Sequence, residues 1–267
     1  MLSNRSLKPI FALLPIPFLA LTAFFANKQA RVAGAYNPLE ARLEPSCWIW
    51  DLASEIQVAP DQENPNRDSC GRLNVWYFLG SANLSRDTQD YYLLPNFVPS
   101  AYGIQGLEEW QGQNPEPLIN IQWPAIGINV SGQTQYPQYA IWLPNTVLVH
   151  PYSTELVIVG WRSPITGAIK VVGSVSDIEN RSGDGVLWYI DKDSVNLASG
   201  SVTEGGTQNF AEGVGGNQLA SIKVKENEFI YFIVHPNENF LFDPTRLDIT
   251  ITHVPLGRVQ LPLVLKR

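Results

Sequence analysis

The chain has 267 residues, of which 45% are hydrophobic and 11% aromatic, enough apolar surface for a large core and too much for a disordered segment. Its 18 Lys and Arg against 25 Asp and Glu leave a net charge of −7, which excludes the cationic surface that a nucleic acid demands. With 16% charged residues, 20 glycines and 20 prolines, the composition suits many short strands and turns, and an all-β domain of this length is common.

Residues 1–35 read as an export leader. Arg5 and Lys8 supply a positive start, residues 9–26 are an uncharged apolar run, and Ala33-Gly34-Ala35 fits a small-x-small cleavage site. The alternative is an uncleaved membrane anchor, against which stand Pro15 and Pro17, because proline interrupts a spanning helix. Either way the folded part is expected outside the cytoplasm, secreted or on a surface. Losing the leader removes four cations (Arg5, Lys8, Lys28, Arg31) and no acid, making the remainder more acidic still. Such a surface repels anionic lipid and suits divalent cations or neutral polymers.

Cys47 and Cys70 are the only cysteines. In an exported chain they are expected to form a disulfide over the polar segment 60–69, worth roughly 3 kcal/mol through restriction of the unfolded chain. Two thiolates with no neighbouring His do not complete a tetrahedral zinc site. A helical turn is expected at 51–57 and strands at 73–79 and 91–98. Residues 106–112, bracketed by glycines, are expected to hold a second short helix. Proline-bounded strands follow at 118–123, 126–130, 139–143 and 146–150. The β-branched run 156–159 and residues 168–175 read as two strands joined by a reversal at Pro164 and Gly167. Further strands are expected at 185–190, 194–202, 218–224, 229–234, 247–252 and 259–264, with a long glycine-rich loop over 203–217. Short strands about ten residues apart predict an all-β antiparallel β-sandwich, a jelly roll, with one or two short helical turns. Residues 36–267 are expected to be a single domain, with 36–100 either part of it or an appended, disulfide-closed layer.

Several spaced pieces resemble a jelly-roll module common in secreted bacterial proteins. They are Trp161-Arg162-Ser163-Pro164, Gly167, Val171-Val172-Gly173-Ser174-Val175, Asp177, Gly183-Asp184-Gly185-Val186, Asn196-Leu197, VKENEFIYF from Val224, and NFLFDPT from Asn239. Trp161 and Arg162 stand in the opposite order to the module's pattern, and Asn227-Glu228 replaces its turn Gly-Asp. The resemblance covers about residues 145–252. It implies a galactose-binding-like or carbohydrate-binding-module-like sandwich, of a kind usually non-catalytic and carried on secreted or surface proteins.

Two groups of residues are candidates for a site. Asp177, Glu179 and Asp184, with Asn180, lie within eight residues of one inter-strand loop and could supply oxygens to a structural calcium ion, which needs six to eight. The alternative for this loop, and the simpler one, is a solvated turn built on Gly183 and Gly185. Trp110, Trp123, Trp142 and Tyr136, with Trp188 and Tyr139, could form an aromatic platform for sugar rings, or could fill the core. Trp110 and Trp123 are expected on loops and lead that set. His150, His235 and His253 fall at strand ends, too scattered for a metal motif. No nucleophile elbow, zinc-protease helix, phosphate loop or dinucleotide glycine pattern occurs. Glu108, Glu109, Asp191 and Asp193 are carboxylates that a hydrolase could pair. The reading that results is an exported, non-catalytic sandwich binding glycan or another extracellular polymer. A structural or adhesive protein making protein contacts is the alternative, and a small carbohydrate-active enzyme the third.

Overall fold

The computed structural model describes residues 45–58, 63–138, 140–179, 183–203 and 205–255; the leader, the strand expected at 259–264, Tyr139 and Asn180 lie outside them. Besides five short 3-10 turns, fifteen strands and one short α-helix run among the described residues. In chain order they are β1 (Ile49–Asp51), α1 (Leu52–Val58), β2 (Trp76–Ser81), β3 (Tyr91–Leu93), β4 (Asn96–Val98), β5 (Leu107–Glu116), β6 (Ile121–Asn129) and β7 (Val147–His150). There follow β8 (Val157–Arg162), β9 (Gly167–Asp177), β10 (Val186–Lys192), β11 (Val195–Val202), β12 (Thr207–Asn209), β13 (Ile222–Val224), β14 (Phe229–His235) and β15 (Thr245–Val254). The first sheet has the order β12-β9-β15-β7-β6-β5-β4, with β1 also on β15 and β13 also on β9; the second is β11-β10-β14-β8-β2-β3. The pairings are antiparallel, as in β9 with β15 and β8 with β14.

The two sheets close on a shared core because side chains alternate along each strand. From the second sheet come Val157, Val159 and Trp161 of β8 and Ile230, Phe232 and Val234 of β14. From the first come Ile126 and Ile128 of β6 and Ile249 and Ile251 of β15. The expected all-β antiparallel sandwich is therefore present. The reversal at Pro164 and Gly167 carries the chain from one sheet to the other, so β8 and β9 lie in different sheets instead of pairing. The stretch before residue 100 supplies strands to both sheets: β1 pairs with β15, and β2 lies between β8 and β3. Cys47 and Cys70 form the expected disulfide, with Cα atoms 5.7 Å apart.

One expected element is replaced. Residues 107–112, read as a helix, open the ten-residue strand β5. Five residues between two glycines make too few internal hydrogen bonds to hold a helix alone, whereas β5 pairs with β6 on one side and β4 on the other. The segment expected as a strand at 139–143 contributes only an isolated bridge, Gln135 to Trp142.

The outward face of the first sheet is covered as well. Along β6 the core-facing Ile126 and Ile128 alternate with Trp123 and Ala125, which join Leu107, Leu148, Ala101, Ala140 and Trp142 in a second, smaller cluster. Connections lie over this face, among them the turn after β4, the excursion between β6 and β7, and the link from β14 to β15 that brings Phe240.

Candidate functional site

Between those connections and the outer face of the first sheet is a pocket of about 240 Å³. Its wall is aromatic and aliphatic: Trp123 from β6, His150 from β7, Tyr102, Ala140, Phe240 and Phe242, with Leu118 and Leu241 at the mouth. Glu116, Gln138 and Glu179 are the polar side chains among its described lining, apart from His150 and Tyr102. Trp123 and His150 come from adjacent strands and stack with ring centroids 4.0 Å apart. Phe240 meets His150 at 6.2 Å and Tyr152 at 4.9 Å, both edge to face.

His150 acts here as a neutral ring. Its Nδ1 lies 2.7 Å from the carbonyl of Pro151, to which the Nδ1–H tautomer donates. Burial pushes its pKa down to about 4, a shift the Pro151 carbonyl only partly opposes. Tyr102 sits in a left-handed backbone conformation (φ 57°), and burial keeps its hydroxyl protonated. Phe242 is left-handed too (φ 67°). A branched or bulky residue is uncommon there, so both aromatics are held by their surroundings.

The pocket wall from Asn239 to Thr245 is tied down at its start by Asp184. The Asp184 carboxylate accepts from the backbone N–H of Glu238 (2.8 Å) and Asn239 (3.3 Å) and from the Asn239 side chain (3.1 Å). Asn239 Oδ1 in turn accepts from the N–H of Leu241 at 2.7 Å.

Of the aromatic candidates, Trp123 lines the pocket, although it lies on a strand and is almost wholly buried. Trp110, expected on a loop beside it, is in β5 and faces the main core against Phe78 and Phe97. Trp142 is buried in the cluster behind the pocket, its Nε1 donating to the carbonyl of Thr146 at 2.9 Å. Trp188 is also core and donates to Gln208. Tyr136 is 68% exposed but stands outside the pocket lining. Of the expected platform, Trp123 is the one described residue that lines this pocket. Strand alternation turns Trp110 and Trp188 to the main core, and Trp142, outside the named strands, is buried in the second cluster.

The acidic candidates take separate roles. Asp177 ends β9 and is buried, its oxygens accepting from the N–H of Glu179 (2.9 Å) and Gly205 (3.3 Å). Glu179 is buried and lines the pocket, while Asp184 holds the wall. Among the described residues no three His, Cys, Asp or Glu side chains are gathered into a ready metal-binding group. A fourth acid, Asp243, belongs with them. It is buried, neither of its oxygens has a hydrogen-bond partner, and its pKa is raised to about 8 by burial and then by Asp184 and Asp177. Asp243 lies about sixty residues beyond the loop whose acids suggest calcium, so spacing alone could not reach it. Its sequence signal is the DPT that closes the resemblance. His150 and Phe240 are equally hidden, one as the last residue of a strand and the other in a connecting loop.

Three of the four carboxylates that a hydrolase could pair have partners of their own. Asp191 is held by Arg86 in a two-pronged ion pair (2.8 and 2.9 Å) and by Asn196 (2.8 Å), in the second sheet. Glu109 is buried on the first sheet, accepting from Gln111 at 2.8 Å. Asp193 accepts from the N–H of Phe229 at 3.3 Å.

No protein-family model and no curated protein matches the sequence. Among solved structures the chain is similar to carbohydrate-binding modules. One is a CBM51 module of Clostridium perfringens GH95 in complex with methyl-galactose, at 7% identity and a TM-score of 0.30, over 59% of this chain and 100% of that one. A second is the C-terminal CBM6 of a marine laminarinase from Zobellia galactanivorans, at 15% identity and a TM-score of 0.24, over 40% of this chain and 79% of that one. A third combines CBM51 and INT domains of Clostridium perfringens ZmpB with GlcNAc, at 9% identity and a TM-score of 0.30, over 45% of this chain and 24% of that one. These are partial likenesses, and no residue or ligand is carried over from them.

Proposed function

We propose that this chain is an exported, non-catalytic β-sandwich that binds a glycan or another extracellular polymer through the pocket on the outer face of the first sheet. The observation that carries the proposal is the pocket's lining. Trp123 and Phe240 offer apolar ring surface on which sugar C–H groups pack, and Glu116 and Gln138 offer acceptors for sugar hydroxyls. At about 240 Å³ it lies just below the ~300–1,000 Å³ of pockets for drug-sized ligands, so a single ring suits it better than a run of units. Binding is favoured over catalysis because His150 is stacked and bonded to a backbone carbonyl, while Asp191 is neutralised by Arg86. Export follows from the leader at 1–35, cleaved or kept as an anchor.

A glycan array followed by calorimetry on the best hit tests this. Glu116→Gln and Phe240→Ala are expected to weaken binding at least tenfold while the circular dichroism spectrum stays β-dominated. No hit on the array, or equal affinity in both variants, would reject the pocket as a sugar site. Turnover of a chromogenic glycoside would replace the proposal with the enzyme reading.

The apolar mouth favours a second reading, contact with protein. Leu118 is 92% exposed and Leu241 53%. On that reading Leu118→Ser lowers self-association or partner capture, and added sugar leaves it unchanged.

A further inference from the structure

A second hollow, of about 320 Å³, opens at the β4 edge of the first sheet. Val98 of β4, which lines it, also packs on the outer cluster that contains Trp123. The polar lining is Asn96, Gln111, Glu116, Asn120 and Gln122, four carboxamides and one carboxylate. The two pockets share a wall. Glu116, the last residue of β5, lines both, and the turn that follows gives Leu118 and Ile119 to the first and Pro117 and Asn120 to the second.

Hydrogen bonding leaves these amides fixed but only partly used. Asn96 Nδ2 donates to the carbonyl of Gly112 at 2.7 Å, and a carbonyl can only accept, so the orientation of this amide is set. Its other N–H goes to Gln122 Oε1, also at 2.7 Å. The Gln122 backbone N–H donates to Gln111 Oε1 at 3.1 Å, which holds that residue from a second side. The Nε2 of Gln122 and the Oδ1 of Asn96 are left without a partner among the described residues, and neither atom is sealed from solvent. Asn120 stands in the left-handed turn (φ 53°), a conformation asparagine tolerates, and Pro115 and Pro117 restrict the backbone on either side of Glu116.

We infer that this hollow is a second subsite of the glycan site, and that the ligand is a neutral chain of at least two sugar units, one on Trp123 and the next among the amides. The inference rests on the glycan reading of the first pocket. A sugar hydroxyl both donates and accepts, and Gln122 and Asn96 offer a donor and an acceptor side by side. Because both amides are already held, little side-chain freedom is lost when they bind. Glu116, facing both hollows, can accept a hydroxyl from either unit. No Lys or Arg stands in the described lining of either pocket, whereas Glu116 lines both and Glu179 the first. A uronic or sulfated unit would meet carboxylates with no cation to offset them, so the chain it takes is uncharged.

The test measures by calorimetry the binding of cellobiose, lactose and chitobiose, and of the methyl glycosides of glucose, galactose and N-acetylglucosamine. At least one disaccharide is expected to bind about tenfold more tightly than the methyl glycosides of its units. Gln122→Ala should remove that advantage and leave the methyl glycosides unaffected. Asn120→Gly, which suits the left-handed turn, should reduce it about threefold. The uronic-acid counterpart of the best disaccharide should bind about tenfold more weakly, and equal binding would overturn the neutral class. Disaccharides no tighter than their methyl glycosides would overturn the second subsite and leave the first standing, as would an advantage that persists in both variants. If no sugar binds the wild type, the inference falls together with the reading on which it rests.

Discussion

At the scale of single residues the fold depends on a few positions where a side chain has no room. Gly173 in β9 has φ 149°, and a Cβ there would stand 1.9 Å from the carbonyl oxygen of Asp248 and 2.7 Å from the Phe210 ring. Both the backbone angle and the space exclude an alanine. Gly173→Ala is expected to cost about 3 kcal/mol or more, read as a lower denaturant midpoint at unchanged m-value. Such a glycine is visible in the sequence only as a letter; the strand that crosses it makes it obligatory. The tryptophans show the same limit. Alternation correctly turns Trp188 inward with Val186 and Ile190. It does not say that the outer face of the first sheet is covered too, which is why Trp123 and Trp142 lie in a second cluster rather than on a surface. A two-residue period reports which face a side chain takes, and the cover on that face comes from segments far along the chain.

Individual elements are legible where the local signal is strong. The β-branched runs of β8 and β14 fall where the residue pattern puts them, and the aromatic β2 overlaps its expected span 73–79 but starts at Trp76. β5 is illegible because its glycine brackets look like helix ends, whereas Gly106 serves a left-handed turn (φ 83°) packed on Ser131. The disulfide is readable from compartment and count, but the polar clamp beneath it is not. Glu55 of α1 accepts from Ser69 N–H (3.2 Å), Ser69 hydroxyl (3.0 Å) and the Trp76 indole, and Asp68 accepts from Trp50 (3.1 Å) and Arg72 (2.6 Å). These bonds hold the Cys70 side of the loop whether or not the sulfurs are joined. Replacing both Cys47 and Cys70 by serine therefore removes the restriction on the unfolded chain, worth about 3 kcal/mol for a separation of 23 residues, while leaving the fold in place. The expected outcome is a lower melting temperature with a native near-ultraviolet dichroism spectrum.

For the whole molecule, the consequence of covering a sheet on both faces is that ionisable groups are trapped where water cannot reach them. Glu109 lies under the second cluster with one carboxylate oxygen unbonded, and burial raises its pKa to about 7, opposed in part by the Gln111 hydrogen bond. The unfolded chain releases that proton near 4.5, so between 4.5 and about 7 the folded state holds the extra proton and stability falls as pH rises. Burial raises Glu55 to about 7 as well, and it acts in the same direction. His150 acts oppositely: kept neutral down to about pH 4, it adds stability as pH rises towards the ordinary histidine value of 6.5. The total curve mixes these, so the informative quantity is a difference between variants. Glu109→Gln keeps the carbonyl acceptor for Gln111 and carries no titratable proton. Its stability should track wild type near pH 4.5 and exceed it increasingly up to pH 8, by at most about 3 kcal/mol. A gap that stays constant over that range would mean Glu109 ionises in the fold as it does in water, and that the cover over the first sheet admits solvent.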